Sequence, residues 1–431
     1  MINPILSFNM RLTRTTSLFF VALFLASCSM RALVSHRIDQ WNVLIRSDVI
    51  TNSAQEKEIV NKAQRTATTD GIIPVVILQG SPYERGYQHG YLFRQEIQKN
   101  LSALYKGVVS KFMIAEILDE AFERQRPFIK EEEFEEMRGL AHGARIPISL
   151  VHRIHAIPEL SEWGGKKRIR ELVKTMIKGE DLGTSCSNFA ALPNYTGDGV
   201  MYVTRILDWG LHRVSELHKY PLISVHIPDK GIPFANIGWA GFIGAVSGMN
   251  GAGITLGEMG YGDFDNETLS GRPMIFMLRE LLQNATTLQK AEEIVSTSTP
   301  TNSYVFLFAD GKTKNASIIF RDRERFEKYS AGQKIYDPKR EVSLPAISNL
   351  VYAGHYREKM AEKLDTFQGK LKLEELKSEL IPAFAMPSNF QNVIYLPENL
   401  TFWVNYAANS KTPAIKRSFT FFDLGAIINL Q

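Results

Sequence analysis

Cysteine is scarce in this chain of 431 residues, which contains only Cys28 and Cys186. The formal net charge of +4 is small for this length, which argues against a nucleic-acid binder. The sequence has no P-loop, and the glycines of GWAGFIG (238–244) lack the spacing of a dinucleotide fingerprint. We therefore expect no nucleic acid as a partner and no cofactor.

A metal site is also not expected. His152, His155 and Glu159 have helical spacing, but Pro158 interrupts their helix and no third histidine stands at a zincin spacing. Helix histidines with structural partners explain this group better. The acidic run EEEFEE (131–136) is typical of the solvated face of a helix rather than of a metal site.

Residues 1–28 are typical of a bacterial lipoprotein signal and are not expected to be part of the fold. A basic start is followed by an apolar run (17–26) that is too short for a comfortable membrane span. The end of that run, LASC, resembles a lipobox, so Cys28 is expected to carry palmitate and to anchor the protein to a membrane of the cell envelope. Ser29 favours the outer membrane, on its periplasmic or surface side. An ordinary signal peptide with an incidental cysteine stays open, as does a start at Met1 or Met10.

If Cys28 carries lipid, Cys186 is the one free thiol and no disulfide can form within the chain. A single free thiol is unusual in an exported protein. Two interpretations remain: a buried cysteine that packs as a small hydrophobe, or a nucleophile.

The hydrophobic pattern divides the mature chain at this cysteine. IIPVVILQG (72–80) predicts a strand, and Ser81 with Glu84 forms a capping box that begins a helix. From there to about residue 180 the spacing of apolar residues is helical, whereas the following part reads as strands with two helices between them. We expect a mostly helical segment (29–185) and a core of stacked sheets covered by helices (186–431).

A nucleophilic Cys186 needs a base, and no papain-like or caspase-like signature surrounds it. One alternative base is its own α-amine, which a cut between Ser185 and Cys186 would release. In TRILDW, Arg205 could favour the thiolate and Asp208 could orient the amine, although spacing alone favours an ion pair on a strand. Asn349, after an apolar run, could direct its amide N–H groups at an oxyanion.

Taken together, these pieces resemble the isopenicillin-N acyltransferase-like family of N-terminal-nucleophile hydrolases, relatives of the choloylglycine hydrolases. GSPYERGYQHG is similar to the signature of the family's pro-segment, and TSCSNFAAL stands where the family has its nucleophilic cysteine. TRILDW, GMNGAGI, NSYVFLFADG and ISN follow in the family's order. The resemblance covers roughly residues 72–425.

The resemblance implies an αββα sandwich and an inactive precursor that cuts itself between Ser185 and Cys186, leaving an α/β heterodimer of its own fragments. Cys186 would then attack a substrate amide with its α-amine as proton shuttle. Asp208 would hold that amine, Arg205 would support the thiolate, and Asn349 with a backbone N–H would stabilise the oxyanion.

Two further residues are assigned by the resemblance as substrate-binding: Asn250 in GMNGAGI and Arg357 near the predicted site. The chain departs from the family at Ser185 and Ser187, where the family often has glycine and threonine. The segment 160–184 has no family counterpart and could be the linker that masks the precursor pocket.

We therefore expect a self-processing amide hydrolase or acyltransferase that acts on a linear, non-peptide amide of an acylated small amine. Hydrolysis is favoured, because acyl-CoA is not expected outside the cytoplasm. Two alternatives stay open: an inactive binding lipoprotein on the same fold, and an unprocessed thiol peptidase with a histidine base such as His355. Eight apolar side chains could line an acyl pocket or belong to the ordinary core: Phe234, Trp239, Phe242, Met249, Met259, Met274, Phe276 and Met277.

Overall fold

The computed structural model describes residues 53–112, 115–162, 185–213, 215–261, 268–337, 341–354 and 357–429. The predicted signal with Cys28, and the linker residues 163–184, lie outside these ranges, as do the side chains of Ser185 and Arg357. In the part of the chain that is described, no helix combines the length and the apolarity that crossing a membrane requires.

The segment before Cys186 is mostly helical, with one short pair of strands. Its elements are α1 (Ser53–Asn61), β1 (Gln64–Ala67), β2 (Pro74–Gly80), α2 (Pro82–Leu92), α3 (Arg94–Phe112), α4 (Ala115–Gln125), α5 (Glu131–Ala144) and α6 (Ile148–Glu162). The predicted strand at 72–80 is confirmed as β2. The predicted capping box is also confirmed, because the Ser81 side chain accepts from the Glu84 N–H and Glu84 accepts from the Ser81 N–H.

Helices α2 and α5 cross at very short range through four glycines. Gly86 and Gly90 lie on α2 and face Gly139 and Gly143 on α5. A Cβ atom on Gly86 would lie 2.0 Å from the Glu136 carbonyl oxygen, so alanine at this position would force the helices apart. The glycines of the GSPYERGYQHG motif therefore fix how the helical segment packs.

The elements from Cys186 onward are strands with helices between them. In order they are β3 (Ser185–Ala191), β4 (Tyr202–Asp208), β5 (Pro221–Pro228), β6 (Phe234–Trp239), β7 (Gly248–Asn250), β8 (Ile254–Gly260), α7 (Met274–Asn284), α8 (Leu288–Thr297), β9 (Tyr304–Asp310), β10 (Asn315–Arg321), β11 (Phe326–Ser330), β12 (Ile335–Asp337), β13 (Val342–Leu344), β14 (Leu350–Gly354), α9 (Arg357–Asp365), the short helical turns Leu373–Glu375, Leu376–Leu380 and Ile381–Phe384, which we call α10, then β15 (Asn389–Leu396), β16 (Thr401–Tyr406), β17 (Thr420–Asp423) and α11 (Leu424–Ile428).

Two large sheets contain most of these strands. The nine-stranded sheet has the order β1-β2-β5-β6-β7-β8-β9-β10-β11, and the six-stranded sheet has the order β14-β3-β4-β15-β16-β17. Strands β2 and β5 pair in parallel, whereas every other neighbouring pair in these sheets is antiparallel. The helical segment thus contributes two strands to the larger sheet.

The two sheets lie face to face, and polar side chains cross the gap between them. Asn188 on β3 donates to the Glu258 carbonyl on β8 (3.1 Å), and Gln391 on β15 donates to the Ile237 carbonyl on β6 (3.1 Å). Helices α2, α7 and α8 pack on the other face of the larger sheet, and α9 and α10 pack on the other face of the smaller one. The expected mixed class of helices and sheets is confirmed.

The acidic run at 131–136 is not simply a solvated helix face. Glu133 and Glu136 are buried, and they form ion pairs with Arg272 and Arg279 of the later segment. That expectation was therefore wrong for these two glutamates. Glu136 also pairs with Arg85 (3.3 Å), so buried charges join the helical segment to the sheet core.

The histidines of α6 have separate structural partners. His152 stacks on Phe122 with ring centroids 4.2 Å apart, and the Nε2 of His155 accepts from the Ile243 N–H (3.1 Å). Glu159 accepts from the backbone N–H of Met274 at the start of α7. Within the described ranges, no group of three or more His, Cys, Asp or Glu side chains could hold a metal ion.

Candidate active site

Cys186 is the second residue of β3 and lies opposite Leu207 on β4. Successive side chains of a strand alternate between its two faces, so Cys186 shares a face with Asn188, which reaches the opposite sheet. The thiol therefore points into the gap between the sheets, and Cys186 is only 5% exposed.

Arg205 stands on the neighbouring strand and is fully buried. Its Nη2 donates to Glu258 Oε1 on the facing sheet (2.5 Å), and its Nε donates to the Val246 carbonyl (3.3 Å). The guanidinium also lies close enough to the Cys186 thiol to favour its thiolate form. The arginine of TRILDW thus pairs with a glutamate of the facing sheet, and a simple ion pair along one strand does not describe it.

Burial raises the pKa of the Cys186 thiol to about 12, although the neighbouring Arg205 acts in the opposite direction. The negative charges of Glu258 and Asp208 add to the increase. In the uncut chain the thiol is therefore protonated at neutral pH, and a nucleophilic cysteine requires a change in these surroundings.

Asp208 ends β4 directly opposite Ser185, the residue that precedes the cysteine. Its Oδ1 accepts from the Nδ2 of Asn389 (3.0 Å), whereas its Oδ2 is buried and has no hydrogen-bond partner among the residues described. Burial raises the pKa of Asp208 to about 8, against the opposing effects of the Asn389 hydrogen bond, the Met386 backbone N–H and the Arg205 charge. Asp208 therefore stands across from Ser185 with one carboxylate oxygen unpaired among the described residues.

Asn349 lies away from this group. It occupies the turn before β14, with a φ of 59°, and its carbonyl accepts from the Leu192 N–H (2.9 Å). Strand β14 pairs Leu350 with Ala191, so Asn349 is six residues along β3 from Cys186. At about 3.3 Å per residue the separation is about 20 Å, so the geometry contradicts its predicted role as an oxyanion donor.

Asn250 is also not available to a substrate. Its Nδ2 donates to the carbonyls of Leu282 and Ala285, and its Oδ1 accepts from the backbone N–H groups of Ala252 and Ile254. The buried side chain closes the β7–β8 turn and ties it to α7, so its predicted contact with a substrate is wrong.

The side chain of Arg357 lies outside the described residues, so the structure gives it no partner and no distance. Its backbone begins α9. Strand β14 ends three residues earlier at Gly354, which lies opposite Ser187. The predicted role in substrate binding stays a prediction.

Sequence reasoning missed two polar residues that touch the site. Glu258 comes from β8 of the larger sheet, and Asn389 comes from the first position of β15. An acidic residue inside the otherwise apolar strand ITLGEMG was the signal that could have identified Glu258. Asn389 offered no such signal, because asparagine is common at strand ends and turns.

An aromatic cluster lies beside Asp208. Trp209 follows Asp208 and contacts Trp239 (6.4 Å between ring centroids), which stacks on Phe390 at 4.7 Å and meets Phe242 at 6.4 Å. Two other members of the predicted acyl pocket are elsewhere: Phe234 stacks on His226 and Phe276 stacks on His155.

The site can be compared with known proteins once these positions are fixed. No protein-family profile matches the chain. It is 27% identical to an uncharacterized protein of Archaeoglobus fulgidus over 279 residues, which are 58% of this chain and 43% of that protein. It is also 24% identical to protein dcd1A of Dictyostelium discoideum over 251 residues (52% of each chain), and 23% identical to dcd1B over 283 residues (60% and 52%). The chain spans about half the length of these relatives.

Among solved structures, the chain is similar to a Caenorhabditis elegans ortholog of N-acylethanolamine-hydrolyzing acid amidase, with a TM-score of 0.36, 12% identity, and coverage of 56% of this chain and 100% of that one. It is also similar to two variants of conjugated bile acid hydrolase from Clostridium perfringens, with TM-scores of 0.36 and 0.34, 10% identity, and coverage of 56% of this chain and 93% of theirs. At these scores and identities, the chemistry has to be inferred from the geometry of the site itself.

Proposed function

We propose that this chain is a self-processing amide hydrolase of the N-terminal-nucleophile class, with Cys186 as the nucleophile. One observation carries the proposal: Asp208, whose Oδ2 has no partner among the described residues, is paired across the strands with Ser185, the residue before the Ser185–Cys186 peptide bond, and Arg205 on the same strand acts on the thiol. A cut at that bond would create an amine next to an acceptor that is already in place.

The processing step begins when the Cys186 sulfur attacks the carbonyl carbon of Ser185. The C–N bond breaks as the C–S bond forms, and the thiol proton passes to the departing nitrogen, giving a thioester and a free α-amine. Water then hydrolyses the thioester. The products are a carboxylate at Ser185 and a Cys186 that carries both its thiol and a new amine.

The same groups would then act on a substrate amide. The α-amine of Cys186 takes the thiol proton and gives it to the leaving amine, because its ordinary pKa lies near neutrality. Asp208 holds the ammonium through its open oxygen, and Arg205 stabilises the thiolate. Water completes the cycle by hydrolysing the acyl-enzyme. With Asn349 placed at the far end of the strand, a backbone N–H is the remaining proposed oxyanion donor.

Processing also explains how a thiol with so high a pKa becomes reactive. The cut adds a positive ammonium beside Asp208 and opens one end of a site that is now buried. Both changes favour the thiolate, because they add an opposite charge and reduce the desolvation that dominates the present pKa.

The fragments are proposed to stay together after the cut, as an α/β heterodimer. The Glu133–Arg272 and Glu136–Arg279 pairs are buried and join residues on the two sides of the cleavage point. Separation would expose strand edges and leave these charges unpaired, which is costly.

The substrate class is an acylated small amine, with hydrolysis favoured over transfer. The cluster of Trp209, Trp239 and Phe390 beside Asp208 supports an apolar acyl group. The acid amidase and bile acid hydrolase named above act on amides of this general kind. A lipid anchor at Cys28 and a place in the cell envelope stay part of the proposal, without support from the described residues.

The test is to express residues 29–431 as the wild type and as Cys186→Ala, and to follow chain cleavage together with release of free amine from a panel of N-acyl amides. The proposal predicts cleavage and amine release in the wild type alone. Activity from an uncut wild-type chain, lost on mutating His355, would point to a thiol peptidase. An inert chain in both forms would point to a binding protein.

A further inference from the structure

A chain of three buried asparagines leads from Asp208 to the surface segment 414–417. Asn389 and Asn392 lie on β15 and Asn405 lies on β16, and none is more than 2% exposed. Asn389 donates to Asp208 Oδ1 (3.0 Å) and to Asn392 Oδ1 (2.9 Å). Asn392 donates back to Asn389 Oδ1 (2.8 Å) and onward to Asn405 Oδ1 (2.9 Å).

The orientation of the two outer amides is fixed by main-chain groups at the far end. Ile415 N–H donates to Asn389 Oδ1 (3.0 Å), so the Nδ2 of Asn389 has to face the opposite way, toward Asp208. Asn405 Nδ2 donates to the Arg417 carbonyl (3.0 Å), which can only accept, so Asn405 Oδ1 has to face Asn392. Turning any amide around would set donor against donor and acceptor against acceptor.

From this geometry we infer that Asn389, Asn392 and Asn405 form a relay that positions the N–H donor of the Asp208 carboxylate, and that the segment 414–417 sets its direction. The relay matters for catalysis only if Asp208 has the role given under the proposed function, and to that extent this inference rests on that proposal. The relay keeps an N–H on Oδ1 and thereby leaves Oδ2 for the new α-amine of Cys186. All three are positioning residues, because they act through Asp208.

The relay contains no charge of its own, so its effect on Asp208 can be separated from that of the charged and titratable groups near it. Those groups are Arg205 on β4, the Cys186 thiol on β3, and Glu258 on β8 beyond the arginine. A donor to a carboxylate stabilises its charged form, and each amide of the relay keeps the next one turned so that the Asn389 N–H stays on Asp208. Removing a relay member should therefore raise the pKa of Asp208 even where the member does not touch it.

The experiment is an infrared pH titration of the Asp208 carboxyl group in residues 29–431. All variants carry Cys186→Ala, which keeps the chain uncut, and the band is assigned by its loss in Asp208→Asn. Asn389→Leu should raise the pKa by about one pH unit, and Asn405→Leu by about half a unit, with Asn392→Leu between them. Asn100→Leu is the matched control, since Asn100 is equally buried and donates to the Ala240 carbonyl outside the relay.

An unchanged titration in Asn405→Leu and Asn392→Leu would overturn the relay and leave only the direct Asn389 contact. If Asn405→Leu does not fold, Asn405→Ser should show a smaller shift in the same direction, and no shift there would overturn the relay equally. The readout needs no enzymatic activity. A wild type that is never cut and hydrolyses nothing would therefore refute the proposed function, while the titration order would still decide the relay.

Discussion

Two buried clusters of charge in this molecule invite comparison. At the site, Arg205 pairs with Glu258 next to Cys186 and Asp208. Between the helical segment and the core, Glu136 pairs with both Arg279 and Arg85. Both clusters are desolvated, so burial and ion pairing alone do not distinguish a reactive site from a structural joint.

The difference lies in the kind of atom that each cluster leaves unpaired: arginine donors, Arg85 Nε and Arg279 Nη1, in the second cluster, and a carboxylate oxygen at the site. Both oxygens of Glu136 accept from Arg279, at 3.0 and 2.9 Å, so that carboxylate is satisfied. At the site, Asp208 Oδ2 has no partner within the described residues, and Asp208 is paired across the strands with Ser185, the residue before Cys186. An unsatisfied acceptor near a candidate nucleophile is typical of a catalytic site. A satisfied carboxylate between two elements is typical of a contact that stabilises the fold.

The largest expected effect comes from Asp208→Asn. Asparagine keeps the size of the side chain but cannot hold the α-ammonium by charge, so we expect chain cleavage and amide hydrolysis to slow by about 100-fold or more. Stability at neutral pH should change little, because a carboxyl group with a pKa of about 8 is mostly uncharged there, as asparagine is. Progress curves of cleavage and amine release measure this, and near wild-type rates would show that Asp208 takes no part.

Glu136→Gln should give the opposite result. It leaves Arg279 and Arg85 without a counter-charge, so the free energy of unfolding should fall by about 3 kcal/mol. The rate of hydrolysis per folded molecule should not change. Denaturant unfolding and active-site titration together test this. Slower hydrolysis per folded molecule, with an unchanged free energy of unfolding, would mean that the cluster around Glu136 belongs to the site.

Glu258→Gln should lower the pKa of the Cys186 thiol by about one pH unit, because the negative charge of Glu258 now opposes the thiolate. Residues 29–431 contain Cys186 as their one cysteine, so the pH dependence of iodoacetamide alkylation reports it alone. If the midpoint of the alkylation curve is unchanged or moves to higher pH, the charge of Glu258 does not oppose the thiolate.

The titration of Asp208 should contribute to the pH dependence of the free energy of unfolding. Its folded pKa is raised to about 8 from 3.8, so folding favours the protonated form. Its contribution is therefore most favourable below pH 4 and is lost as the pH rises through 8. Thermal unfolding of Cys186→Ala across this range should show the loss, and adding Asp208→Asn should remove that part of the slope. An identical slope in both chains would contradict the raised pKa.

The smallest effect is expected from Asn349→Gly. The positive φ of 59° suits glycine, and the position is about 20 Å from the thiol, so activity should stay within about twofold of wild type. A loss of about 100-fold would restore the oxyanion role that the geometry removes.

Sequence reasoning reached the parts of the site that lie on adjacent strands. Strand β2, the cap at Ser81, and the group of Cys186, Arg205 and Asp208 follow from local pattern and motif order. Asn349 was assigned to the site from the order of the motifs along the chain. That order does not say which end of a strand lies next to a motif on the neighbouring strand.

Glu258 and Asn389 were missed for a different reason. They reach the site through the stacking of two sheets and through pairing across 181 residues, and no local pattern encodes these contacts. Glu133 and Glu136 show the same limit, since their arginine partners lie far along the chain.

The most direct test of the central claim is the intact mass of residues 29–431 after purification under native conditions. The account predicts two fragments that meet between Ser185 and Cys186 and elute together, and one uncut chain in Cys186→Ala. A single full-length mass in the wild type, unchanged on prolonged incubation, would contradict it.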